Sequence, residues 1–139
     1  MRVVADTNIV VSGLLWRGNP RRVLDSARDG IVDLFTSQDL LEELEDVLTR
    51  QTFVARLLEA NVSTHELVSG YRALASVIEA KAIEPVVIAD PDDDAVLSCA
   101  VAAQCEIITS GDGHLLALKT HQGIRILTAT ELLAELSLQ

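Results

Sequence analysis

Aromatic side chains are nearly absent from this chain: one Trp, one Tyr and two Phe make up 3% of its 139 residues. A core without large rings must be filled by Val, Ile, Leu and Ala, and apolar residues still account for 49% of the sequence. That balance suits helices packed on buried parallel strands. Cysteine is as scarce, with only Cys99 and Cys105. Six residues apart, they would fall on opposite sides of a helix, which argues against a disulfide between them, and as a pair they lack partners for a metal site. Both read as small buried fillers. Missing too is any apolar run long enough for a signal peptide or a membrane span, so the expectation is a cytoplasmic protein with no membrane partner.

Positive charge is the other shortage. Eleven Lys and Arg face twenty-one Asp and Glu, a formal net charge of −10. This disfavours loose adhesion to nucleic acid or to an anionic membrane, without excluding an enzyme that acts on either. An acidic site that holds a cation makes the bare chain look more acidic than the working one. Repeats, linkers and low-complexity tracts are also lacking, which predicts one domain over residues 1–139 around one core.

What is present is an alternation. Apolar runs bounded by turn signals predict strands at Arg2 to Asp6, Asp33 to Thr36, Pro85 to Ile88, Glu106 to Thr109 and Ile124 to Leu127. Helical patterns fall between them: Pro20 to Asp29, Ser37 to Arg50, Thr52 to Ala60, Thr64 to Ala82, Pro91 to Gln104, His114 to Leu118 and Ala129 to Leu136. Strands alternating with helices predict a parallel sheet covered on both faces.

In such sheets ligands bind beyond the carboxyl ends of the strands, where the strand order reverses. Three strand ends each deliver an acid to that edge: Asp6 after the first, Asp90-Pro91-Asp92-Asp93-Asp94 after the third, and Ser110-Gly111-Asp112 after the fourth. Each taken singly reads as a helix cap or a turn. Together they exceed what capping requires, and gathered carboxylates repel one another unless a divalent cation joins them. The helix from Ser37 adds a fourth acid. Its apolar stripe Leu40, Leu44, Val47 and Leu48 puts Glu43 and Glu45 at the two borders, and helical phase does not choose between them. Phase does favour Asp93 over Asp94, because Asp93 precedes Val96, Leu97 and Ala100 by three, four and seven residues.

These residues resemble the PIN-domain nucleases, in particular the toxin components of toxin–antitoxin operons. The likeness spans four blocks in order: Val4-Ala5-Asp6-Thr7-Asn8 continuing to Trp16, Thr36-Ser37 through Leu41-Glu42-Glu43-Leu44 to Leu48, Asp90-Pro91-Asp92-Asp93-Asp94, and Ser110-Gly111-Asp112-Gly113-His114-Leu115-Leu116. The resemblance implies a three-layer α/β/α fold with a parallel five-stranded sheet in the order 3-2-1-4-5. It implies catalytic and metal-holding acids at Asp6, Glu43, Asp93 and Asp112. Asp94 is an alternative third acid, because spacing from the last acid in other members points there. Thr7, Asn8 and Ser110 take supporting places. It further implies Mg²⁺ or Mn²⁺ as cofactor, an RNA substrate, a homodimer and a small antitoxin as partner.

Two other readings keep a place: a PIN-like module that binds without catalysis, and a housekeeping RNA-processing nuclease. A phosphatase with an aspartyl nucleophile fits poorly, because Asn8 stands where that pattern wants a second Asp, and Lys81 and Lys119 lie in unpromising contexts. Arg17, Arg21, Arg22 and Arg28 form the one basic concentration. They read either as a solvated helix face or as phosphate contacts for RNA near the acidic edge. His114 falls next to the site and reads as a loop residue, although an imidazole could serve there as an acid or base.

Overall fold

The computed structural model describes residues 1–80 and 91–137. The predicted strand at Pro85 to Ile88, Asp90 and Lys81 lie outside them. The chain opens with strand β1 (Arg2–Ala5), which runs into helices α1 (Thr7–Leu15) and α2 (Asn19–Arg28) before β2 (Asp33–Ser37). Helices α3 (Gln38–Leu48), α4 (Gln51–Ala60) and α5 (Thr64–Leu74) lead to β3 (Ser76–Ile78). Then follow α6 (Pro91–Ala102), β4 (Ile107–Thr109), α7 (Gly113–Leu118), β5 (Thr120–His121), β6 (Ile124–Leu127) and α8 (Ala129–Leu136).

The six strands form one sheet in the order β3-β2-β1-β4-β6-β5. Every pairing is parallel except the edge pair β5–β6, in which Thr120 faces Arg125. The order 3-2-1-4 is thus present with Ser76–Ile78 as its third strand, and Ile124–Leu127 lies beside β4, with a two-residue antiparallel strand added at that edge. Alternation along the strands splits the core into two layers. Val3, Ala5, Leu34 and Ile107 face a cluster with α1, α2, α3 and α8, whereas Val4, Phe35, Ile108 and Ile126 face α6 and α7. Gly13 brings α1 and α2 together: a Cβ there would stand 2.9 Å from the Pro20 carbonyl oxygen and 2.7 Å from Leu24 Cδ1.

Two elements depart from the sequence reading. Helix α1 was not foreseen, because its run of Ile9, Val10 and Val11 is buried on most sides and shows no polar face to mark a helical period. The helix expected over Thr64 to Ala82 ends at Leu74; Ala75 turns extended and the next three residues pair with β2 in the register Phe35↔Ser76 to Ser37↔Ile78. Here strand pairing outweighs a local helical pattern. Both cysteines are free and buried. Burial pushes the Cys99 thiol up to about 12 and the Cys105 thiol up to about 11, as expected of inert fillers.

Candidate metal centre at the carboxyl edge of the sheet

β1 has β2 on one side and β4 on the other, so the order reverses between β1 and β4 and the loops after them diverge to opposite sides. Asp6 and Asp112 stand at that point. Asp6 is buried, only 4% exposed, and N-caps α1: its Oδ1 accepts from Ile9 N at 3.1 Å. Its Oδ2 accepts from the hydroxyl of Ser110, which is itself fully buried. The same Ser110 Oγ accepts from Asp112 N at 2.9 Å, so one hydroxyl ties the two strand ends together. Asp112 in turn N-caps α7, its Oδ1 accepting from His114 N at 2.8 Å and Leu115 N at 3.1 Å.

Asp6, Glu43, Asp93 and Asp112, with Thr7 and Asn8, line a cleft of about 40 Å³, and Val96 closes it. That is room for roughly three water-sized spheres. Glu43 comes from the border of α3 and is half-buried, whereas Glu45 is exposed; the two borders that phase left equal are therefore unequal in three dimensions. Asp93 is buried on the inward face of α6 and lines the cleft. Asp94 is half-buried outside that lining, and its carbonyl accepts from Ser98 Oγ at 2.8 Å.

The electrostatics suit a cation. Burial pushes the Asp6 carboxyl above its ordinary value, against the hydrogen bonds from Ser110 and Ile9, and the charge of Asp112 pushes it the same way. Asp6 thus shares one small cleft with Glu43, Asp93 and Asp112, and Asp112 Oδ2 takes no hydrogen bond from a described residue. Hard oxygen donors around so small a space are what Mg²⁺ or Mn²⁺ would require. Beneath the cleft, the buried Tyr71 Oη and Thr109 Oγ1 lack hydrogen-bond partners among the described residues. Burial holds the Tyr71 phenol protonated, aided by the nearby acidic groups Cys99 and Asp6.

The basic group is largely a solvated surface. Arg21 donates through Nε to Gly13 O at 3.0 Å and through Nη2 to Leu14 O at 3.1 Å, closing the C-terminal end of α1. Nine residues of helix separate that end from the Asp6 cap, a length of about 14 Å. Arg28 pairs with Asp25 at 2.7 Å, while Arg17 and Arg22 are exposed. None of the four arginines is among the residues that line the acidic cleft. His114 stands beside the acids, as its place two residues after Asp112 implies: Asp93, Asp112 and His114 each place one donor atom within 4.8 Å of the others. Only the position directly after an Asp-Gly cap hinted at this in the sequence.

The fold is an α/β sheet with acids gathered where its strand order reverses, and Asp93, Asp112 and His114 offer donor atoms close enough together to be a candidate cation site. The family is established by sequence: residues 2–114 match the PIN domain, and the chain belongs to that family. Comparison with curated proteins finds no match. Among solved structures the fold is similar to a chain in VapBC2 from Rickettsia felis, solved bound to a DNA fragment from their promoter. The TM-score is 0.62 with 12% identity, over 92% of this chain and 98% of that one. Among the described residues, no helix is long and apolar enough to cross a membrane.

Proposed function

We propose that this chain is an endoribonuclease that hydrolyses RNA phosphodiester bonds with Mg²⁺ or Mn²⁺, acting as the toxin of a toxin–antitoxin pair. The observation that carries the reading is the convergence of Asp6, Glu43, Asp93 and Asp112 on one 40 Å³ cleft in a PIN domain. Those four acids would hold the ion. A divalent cation supplies Lewis-acid charge to the phosphate and eases ionisation of the attacking water.

The chain's own residues do the positioning. Ser110 and the Ile9 amide fix both oxygens of Asp6, so its orientation is set before any ligand arrives. Thr7, buried, and Asn8, exposed, border the same cleft and are placed to orient water or a phosphate oxygen. The cleft is too small to admit a base, so RNA would lie across its mouth and present its backbone. Arg17 and Arg22, exposed and outside the cleft lining, would meet phosphates flanking the cut. The sequence resemblance to toxin components and the likeness of fold to a VapBC2 chain support a small antitoxin as partner. The resemblance also supports a homodimer.

The test compares the wild type with Asp6→Asn on a mixed RNA pool with Mg²⁺ or Mn²⁺, in chelator and after adding the ion back. Cleavage should require the ion and fall by several orders of magnitude in the variant. Equal, ion-independent cleavage by both proteins would overturn the role of Asp6, and RNA left intact by both would leave a non-catalytic binding module as the better description.

A further inference from the structure

We propose that His114 is a direct ligand of the ion, joining Asp93 and Asp112, and that its imidazole makes the site prefer Mn²⁺ to Mg²⁺. The inference rests on the proposed reading of the cleft as a divalent-metal site and adds to it a nitrogen donor and a preference.

The placement of His114 is local and firm. Its backbone N–H donates to Asp112 Oδ1 at 2.8 Å, so the first turn of α7 pins its backbone beside the carboxylate. The ring folds back over that cap: Nδ1 stands 3.8 Å from Asp112 Oδ1. One ring nitrogen, an Asp93 oxygen and an Asp112 oxygen lie within 4.8 Å of one another. Three donors on one ion, with bonds of about 2.1–2.2 Å, stand at most about 3.8 Å apart when evenly spread. A set lying within 4.8 Å needs to draw in by up to roughly 1 Å. The His114 side chain is 61% exposed, so a small rotation meets little packing resistance.

An ordinary ion pair between His114 and Asp112 is the competing account. At that exposure such a pair contributes little and would not discriminate between cations. Ligation would. Mg²⁺ binds oxygen and retains its waters, whereas a first-row transition ion accepts imidazole readily. An all-carboxylate cleft has no such basis for preferring Mn²⁺. The structure supplies the nitrogen at the one point of the rim where α7 begins.

The experiment is a titration of Mn²⁺ followed by its electron paramagnetic resonance signal, with Mg²⁺ as competitor, on wild type, His114→Ala and Asp6→Asn. Pulsed spectra report whether nitrogen is coupled to the bound ion. Wild type should show that coupling and bind Mn²⁺ about tenfold or more tighter than Mg²⁺. His114→Ala should lose the coupling and about tenfold in Mn²⁺ affinity, with Mg²⁺ affinity changed less than about twofold. Mn²⁺ bound by wild type and His114→Ala alike, without nitrogen coupling, but lost in Asp6→Asn, overturns the role of His114 and leaves the metal site standing. Wild type that binds no Mn²⁺ overturns both. Circular dichroism on each variant separates loss of the ligand from loss of the fold.

Discussion

Replacing Ser110 by Ala removes a single oxygen that serves two acids. Its hydroxyl donates to Asp6 Oδ2 and accepts from Asp112 N at 2.9 Å, and the residue is fully buried. A hydrogen bond to an ionised group contributes about 1.5–3 kcal/mol and a neutral one about 0.5–1.5 kcal/mol. Simple addition gives a loss of roughly 2–4 kcal/mol. The lower end is expected, about 2 kcal/mol, because Asp6 keeps its bond from Ile9 N and borders a cleft through which water can enter. The loss should depend on pH. Ser110 is the strongest influence holding the Asp6 carboxyl down against burial, so its removal raises that carboxyl further. A raised carboxyl contributes stability below its unfolded value and loses it as pH rises through the folded one. The difference between wild type and variant is then largest at neutral pH, and it shrinks as acid protonates Asp6 in both proteins. Urea unfolding in chelator at about pH 7 and about pH 4 measures it. A difference under about 0.5 kcal/mol at neutral pH, or one that does not change with pH, refutes the reasoning.

Asp6→Asn keeps a capping oxygen and removes the buried charge whose desolvation outweighs its hydrogen bonds. Without metal the variant should therefore be more stable than wild type at pH 7. The gap should close as pH falls below the ordinary carboxyl value of 3.8, read as urea midpoints across pH; coincident curves would contradict the placement of Asp6. Arg21→Ala should cost about 1–3 kcal/mol of stability through its two lost bonds to the end of α1, with little effect on how RNA binding depends on salt. Arg22→Ala should do the reverse. Stability should hold within about 0.5 kcal/mol, and the salt slope should fall by about 0.7 for one lost phosphate contact. RNA binding is measured by fluorescence anisotropy in the Asp6→Asn background, and an unchanged slope for Arg22→Ala removes it as a phosphate contact.

Strand ends and capped helices were legible because turn chemistry marks them: Ser37 caps α3, Thr128 caps α8, and β6 has its expected bounds. Helix α1 was hidden by burial, since a helix apolar on most sides carries no period to read. The three residues of β3 were hidden for a different reason. Val77 and Ile78 fit a helix as well as a strand until β2 lies beside them. In the cleft, Asp6 and Asp112 could be found from strand ends and Asp93 from helical phase. Glu43 could not be separated from Glu45, because the two borders of a stripe differ only in what packs opposite them. The nearness of His114 to Asp112 can be read from the chain, whereas the choice between the two readings of the arginines depends on how α2 packs against α1.

Asp6 and Asp112 each begin a helix as well as line the cleft. A substitution that empties the cleft of its charge therefore also unbuttons the first turn of α1 or α7, unless the replacement carries an oxygen at the same reach. Asn meets that condition; Ala, Gly, Val and Glu do not. Among descendants of this sequence, chemically silent forms that still fold should be drawn from a narrow set at these two positions, and a broader scatter of residues there would mark chains that had already lost their helix starts.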